Sequence, residues 1–316
     1  MNSVLSIGSP ETRTIALRLF ALGAIGLVIG NLVDAFVSPG NLLNILRQSS
    51  LLFLVASGLT IVIIAGGLDL SIGANVSLSA CLAATVIQST GSLLAGAAVA
   101  LASGLTIGAV NAFIVCVLRV PAFIATYGML WILHGIAYWY MSGATIHGFP
   151  SEVRYIGSGF AAGVPIPVYI MLAFILLGTL FTQRTTWGQQ IYAIGANPTV
   201  ASLSGIPVNR RVALVYVISG AMAGLAALVF LARLNSAEAD LGESLTLQAV
   251  AAVLIGGTSL FGGSGTLAGT LLGCVVLAVV LNGMNLLSIS ASWQPIVSGA
   301  IVIASVLFDA LGRRHR

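Results

Sequence analysis

Apolar stretches of about twenty residues, separated by short polar breaks or by Gly and Pro, run along almost the whole chain. No charged residue occurs from Leu70 to Leu118, nor from Ser244 to Phe308. A helix needs about 20 apolar residues to cross about 30 Å of hydrocarbon, so these two gaps hold about two and about three crossings. Over the whole chain the pattern predicts about ten transmembrane helices, near residues 15–37, 49–67, 70–88, 93–118, 122–141, 165–182, 212–232, 246–260, 264–285 and 294–311. Gly and Pro between neighbouring crossings also predict interrupted helices. The expected fold class is an all-α polytopic membrane protein, a single transmembrane domain over residues 1–316.

Composition strengthens this picture and excludes several functions. Of 316 residues, 58% are hydrophobic and only 6% charged, against about 25% charged in soluble domains. All 12 basic residues are arginine, and the absence of lysine rules out a P-loop on this chain. The net charge of +4 does not point to nucleic acid, because the arginines are scattered and flank apolar runs. With an even number of spans and both termini in the cytoplasm, Arg13, Arg18, Arg119, Arg184, Arg210, Arg211, Arg313, Arg314 and Arg316 fall inside. Only Arg47, Arg154 and Arg233 fall outside, as the positive-inside rule requires. Arg13 and Arg18 precede an apolar run with no small-x-small cleavage site, so an uncleaved first span is expected. Cys81, Cys116 and Cys274 lie in apolar runs without metal-ligand spacing, as small buried residues do.

The longest polar inside segment, residues 183–211, contains a well-delimited short helix. Asn197 is a good N-cap and Pro198 fits the first helical position. Thr199, Ala201, Ser202, Leu203 and Ser204 follow, and Gly205 suits a left-handed C-terminal cap. So short a helix is marginal in water, so it is expected to rest on something: its own cytoplasmic face, or a docking partner.

Asp69 is the only acid deep in an apolar stretch, and an unpaired charge at the bilayer centre costs at least about 2.5–3.5 kcal/mol. Within Gly66-Gly67-Leu68-Asp69-Leu70-Ser71-Ile72-Gly73 it reads as part of a structural turn, where a carboxylate bonds backbone amides or caps the next helix. Asn75, Asn111, Thr126 and Asn282 are candidates for a polar substrate pathway, and Asn285 and Gln294 are further polar groups of the same kind. Such groups equally serve to join membrane helices. His134 and His147 have no partner at ligand or triad spacing, and Gly263-Ser264-Gly265 is no dinucleotide fingerprint, so no catalytic or metal site is expected. An internal echo pairs Ile64–Gly73 with Leu254–Gly263 at an offset of 190 residues, the kind of repeat that duplicated, interrupted-helix transporters carry.

Five segments, in this order and spacing, resemble the permease subunits of bacterial ABC importers for monosaccharides, the ribose, xylose, arabinose and galactose type. They are Gly66–Gly73, Val120–Met129, Ala193–Asn197 continuing through Ser204-Gly205-Ile206, Tyr216–Gly220, and Gly256–Gly263. The resemblance spans about residues 40 to 310; Tyr127 departs from it, standing where such proteins often have leucine. It implies an inner-membrane subunit that passes a neutral pentose or hexose inward by alternating access. It further implies a second permease copy or paralogue, a periplasmic sugar-binding protein, and a cytoplasmic ATP-binding subunit. ATP and Mg would belong to that ATPase, with no cofactor and no hydrolysis on this chain. The helix at 198–204 would dock into the ATPase. Two other readings are an ion-coupled secondary transporter using Asp69 and an ABC permease for a nonsugar polar solute.

Overall fold

The computed structural model describes residues 22–24 and 26–314, with 308–314 described by backbone alone. Residues 15–21 and 25 of the first expected crossing lie outside these residues; helical turns are described between 22 and 32. Twelve helices follow: α1 Pro39–Ile64, α2 Ile72–Thr90, α3 Leu93–Cys116, α4 Ala122–Met141, α5 Ser151–Ser158, α6 Ile166–Arg184, α7 Thr186–Ala196, α8 Pro198–Leu203, α9 Val208–Leu234, α10 Leu245–Ile255, α11 Leu267–Leu286 and α12 Gln294–Arg314. Two antiparallel pairs of two-residue strands, Ile146–His147 with Ser236–Ala237 and Phe160–Ala161 with Val164–Pro165, lie in the connections at one end.

Among the described residues, seven helices are long and apolar enough to cross a membrane: α1, α2, α3, α4, α6, α9 and α11. The apolar helices at 22–32, Leu245–Ile255 and 291–307 are shorter, so the count of about ten is not reached on length alone. The reason is clearest at α10. Its 11 residues rise only about 16 Å, because the Gly256-Gly257 step turns the chain where a helix to residue 260 was expected. The start of α1 differs in the other direction. Ser38 caps it, its hydroxyl accepting from the Asn41 amide at 3.3 Å, with Pro39 in the first turn. The helix therefore runs on through Arg47, whose guanidinium lies over the Phe160 ring at 4.9 Å.

α1 is the axis of the bundle. Residues 49–64 are buried throughout, on every side of the helix, because α6, α9, α10 and α11 pack around it. A helix apolar on all faces suits that position. α9 packs in turn against α3, and there the sequence supplies glycine at each crossing point. A Cβ on Gly104 would overlap the Gly220 carbonyl, one on Gly220 the Gly104 carbonyl, and one on Gly224 the Ala100 carbonyl. In a bilayer, where hydrocarbon outside is as apolar as the interior, such close backbone approach provides the dispersion contact that holds helices together.

The echo between Ile64–Gly73 and Leu254–Gly263 has a structural counterpart, shifted by one residue from the sequence match. The Gly66 amide donates to Ile63 O at 2.9 Å and the Gly67 amide to Val62 O at 3.0 Å. The Gly257 amide donates to Leu254 O at 2.8 Å and the Thr258 amide to Val253 O at 3.2 Å. Gly66 and Gly257, with φ of 80° and 82°, are thus the equivalent left-handed residues that stop α1 and α10. Aligning glycine pair with glycine pair misses this, because only Gly66 and Gly257 of the two pairs are left-handed.

The glycine crossing makes a direct prediction. Gly220→Ala drives a methyl into the α3 backbone and is expected to destabilise the folded protein by about 1–3 kcal/mol, seen as a lower unfolding midpoint in detergent. Gly299→Ala, at a site with open space around it, is expected to leave that midpoint unchanged.

Candidate functional site

The break between α1 and α2 gathers the deepest polar network among the described residues. Asp69 is 2% exposed. Its Oδ1 accepts from the Ser71 amide at 3.1 Å and the Ser71 hydroxyl at 2.7 Å, and its Oδ2 accepts from the Ser219 hydroxyl at 2.8 Å. Among the described residues no arginine or histidine pairs with it; hydroxyls and an amide fill its lone pairs instead. The Ser71 hydroxyl accepts in turn from Asn111 Nδ2 at 2.8 Å. The carbonyls of the same break are held too. Leu68 O accepts from Tyr216 Oη and Thr126 Oγ1, both at 3.2 Å, and Leu70 O accepts from Thr246 Oγ1 at 3.3 Å. The break is therefore tied to α3, α4, α9 and α10 at once, which satisfies backbone groups freed where a helix is interrupted.

The short helix α8 stands where the sequence puts it. Asn197 Oδ1 accepts from the amides of Thr199 at 3.0 Å and Val200 at 3.1 Å. Pro198 opens the helix, Ser204 closes it, and Gly205 with φ 79° turns the chain so that the Ile206 amide reaches Ala201 O at 3.1 Å. Only Ala201 is buried; Leu203 is 84% exposed, Val200 is exposed, and Thr199, Ser202 and Gly205 face outward. An uncharged apolar tip on a rigidly capped turn is thus left free.

α8 is rooted in α7, and α7 is rooted in the bundle. Thr185 caps α7 through the Gly188 amide at 3.0 Å. Arg211 of α9 lies over the Trp187 ring at 4.6 Å and donates to Gln190 Oε1. Tyr192 Oη donates to Gly265 O at 2.8 Å. Burial pushes the Tyr192 phenol above its ordinary pKa, with partial relief from Thr182, so it stays protonated as a donor. At the end of α7, Gly195 lies between the two helix breaks. A Cβ there would overlap both the Ile64 carbonyl and the Gly263 amide, which bond each other at 2.9 Å. Gly262 faces Gly195 and Gly66 with room for no side chain. One capped helix is in this way joined, backbone to backbone, to both breaks.

The four pathway candidates are all buried. Asn75 donates to Gly104 O at 3.4 Å and accepts from Ser79, Asn111 donates to Ser71, and Thr126 donates to Leu68 O. Asn282 and Asn41 exchange two bonds of 2.9 Å between side-chain amides. In this arrangement each joins two segments. A cleft elsewhere is lined by Gln48, Gln248, Asn285 and Gln294 together with Phe230; Gln294 donates to Asn285 at 2.9 Å.

Comparison with known proteins places this geometry. A family model described as "Branched-chain amino acid transport system / permease component" matches residues 41–306. The chain belongs to this permease family. The ribose import permease protein of Escherichia coli (strain K12) is 39% identical over 295 residues, covering 92% of each chain. That of Bacillus subtilis (strain 168) is 36% identical over 286 residues, 90% of this chain and 88% of its own. The D-allose transport system permease protein of Escherichia coli (strain K12) is 33% identical over 294 residues, 92% of this chain and 90% of its own. No solved structure matches. The permease family and the seven candidate spans together make this a multi-pass membrane protein with a transport role.

Several residues that build this permease's site carry no sequence signal of the partner they meet. Ser219 and Tyr216 lie within a long apolar helix, and only folding brings them to residues 68 and 69. The same holds for Thr60 and Thr270, whose hydroxyls meet at 2.7 Å between α1 and α11. A short polar residue within an apolar run was the available sign. Asp69→Ala removes an acceptor of three hydrogen bonds and leaves the Ser71 amide buried without one, a cost of about 1–3 kcal/mol. It is expected to lower the yield of folded permease sharply, and Asp69→Asn to do so less, without either changing which solute is carried. Quantified membrane extraction and an uptake profile check both.

Proposed function

We propose that this chain is the membrane-spanning permease subunit of an ATP-driven importer for a neutral monosaccharide, a pentose or hexose. The cargoes for which its relatives are named, ribose, D-allose and, for a 34% identical protein, galactose/methyl galactoside, support that reading. The scarcity of buried charge also suits it: a neutral solute needs hydrogen-bonding partners but no counter-charge. The carboxamides of Gln48, Gln248, Asn285 and Gln294 offer such partners in the cleft beside α10. Asn75, Asn111, Thr126 and Asn282 act first as ties between helices, and become available to cargo hydroxyls only as those helices part.

One observation carries the mechanism: the exposed, uncharged, capped helix α8 follows directly on α7, whose Gly195 packs backbone to backbone against both helix breaks. A cytoplasmic ATPase that binds ATP and Mg receives residues 197–205 in a cleft, with Leu203 as the apolar tip. When the ATPase dimer closes, α8 moves, α7 moves with it, and Gly195 carries the displacement to the end of α1 and the loop after α10. The permease then alternates between outward- and inward-facing states, each ligand shifting the balance only by its differential affinity. A periplasmic binding protein delivers the sugar at the opposite face, and a second copy or paralogue completes the passage. Exposed Gly128 and Gly135 on α4, one heptad apart with open space over Gly128 and Gly135 alike, suit close approach by that second permease. Ten crossings with both termini in the cytoplasm of a bacterial inner membrane remain the arrangement that the arginine distribution supports.

The test is Leu203→Asp in the assembled transporter. A carboxylate at a buried apolar contact costs several kcal/mol, so the variant is expected to reach the membrane yet lose uptake and the coupling of ATP hydrolysis to it. Normal uptake would remove the docking role. In the same vesicles, wild-type uptake of D-ribose, D-allose or D-galactose driven by ATP supports the cargo. Uptake that follows an ion gradient, or of leucine in place of sugar, contradicts the reading.

A further inference from the structure

α4 carries an unbroken ladder of rings along one face. Phe123 and Tyr127 stack with centroids 6.0 Å apart and planes 2° from parallel. Tyr127 meets Trp131 edge-on at 6.3 Å, Trp131 meets His134 at 6.2 Å, and His134 meets Tyr138 at 6.1 Å. The spacing of four, four, three and four residues keeps all five on one helical stripe. The buried face of α4 is a different one, made of Ala125, Thr126, Met129, Leu133 and Ala137. Phe123, Tyr127, Trp131 and Tyr138 are each about half exposed in the single chain.

Lipid does not suit this stripe. Aromatic rings at membrane–water interfaces are ordinary, and that accounts for Phe123 and Tyr138 near the helix ends. Trp131 and His134 lie at the middle of a 20-residue span. The tips of the ladder are polar, and the Tyr127 and Tyr138 hydroxyls, the Trp131 ring N–H and the His134 nitrogens make no hydrogen bond to another described residue. Unpartnered polar groups facing hydrocarbon each cost free energy, whereas water or a hydroxylated solute satisfies them. A monosaccharide has this dual chemistry. Its C–H faces meet the negative face of a π-system, and its rim of hydroxyls both donates and accepts. Rungs about 6 Å apart offer a series of similar, weak positions, which a conducting pathway needs so that each can be left as readily as entered.

We propose that the ladder Phe123–Tyr127–Trp131–His134–Tyr138 lines the water-filled passage and is the surface along which the sugar crosses. The rings take up its C–H faces, and Tyr127, Trp131, His134 and Tyr138 exchange hydrogen bonds with its hydroxyls. The sugar assignment rests on the importer reading above; the placement of the ladder against water does not.

Two measurements separate these. In the full-length protein in lipid vesicles, Trp139, Trp187 and Trp293 are replaced by Phe so that Trp131 alone fluoresces. Acrylamide in the water is expected to quench it, and brominated lipid is expected to leave it unaffected. Quenching by the lipid, or by neither, overturns the ladder as a passage whatever the cargo. In the assembled transporter with D-ribose as probe, Trp131→Leu keeps an apolar side chain but removes the ring. It is expected to lower ATP-driven uptake about tenfold, the loss of one ring contact, while binding-protein-stimulated ATP hydrolysis continues. Trp131→Phe, which keeps a ring, is expected to retain most uptake. Equal uptake by the Leu and Phe variants overturns the stacking role. A wild-type complex that hydrolyses ATP but moves no sugar contradicts the importer reading and leaves the quenching result standing.

Discussion

The contact on which the rest depends is made entirely of backbone. The Gly263 amide donates to the Ile64 carbonyl at 2.9 Å, and Gly195 packs against both with no space for a methyl group. Three parts of the chain that are distant in sequence, the end of α1, the end of α7 and the loop after α10, are thereby brought together. Side chains would hold them apart and make the joint compliant. Bare backbone lets a small movement at one part reach the others without rotamer changes in between. Each interrupted helix ends at a left-handed glycine, and one of them, Gly66, lies against Gly195 in this joint. Breaks of this kind occur at membrane depth only where protein covers them.

Around the joint, hydrogen bonding rather than charge fixes the geometry. Asp69 is the extreme case, a carboxylate surrounded by hydroxyls and an amide without an ion pair. The Thr60–Thr270 and Asn41–Asn282 pairs repeat the principle between α1 and α11 and at the entry to α1. Interhelical bonds in membrane proteins contribute on average only about 0.6 kcal/mol each. Ties of that size hold one state and still let helices part, as alternating access demands. The glycine crossing of α3 with α9 is of another kind, a close-packed backbone contact without room for a side chain.

Much of this was legible in the sequence, for physical reasons. Apolar period and charge gaps marked α2, α3, α4, α6, α9 and α11 closely, because a bilayer imposes both length and polarity. The caps of α8 were readable from Asn197, Pro198 and Gly205 alone, since capping is local chemistry. The start of α1 was not, because Arg47 reads as a loop charge until Phe160 is there to cover it. The extent of α10 was missed because glycine both packs helices and ends them, and only its φ distinguishes the two. The local partner of Asp69, Ser71, follows from the turn, but Ser219 was beyond reach: it is 150 residues away, and nothing near it in sequence announces the pairing. The ring ladder was present as letters, but its meaning depends on which side of α4 the bundle leaves open.

If α7 couples α8 to the permease core, then α8, α7 and both helix breaks move as one body. Spin labels at Leu203→Cys and Phe261→Cys, with the three native cysteines replaced, report that body directly in the assembled transporter. Labels at Leu203→Cys and Leu234→Cys, the far end of α9, report its motion against the bundle. Through the ATP cycle the first distance is predicted to stay constant while the second changes. A change in the Leu203–Phe261 distance comparable to that between Leu203 and Leu234 would contradict the claim.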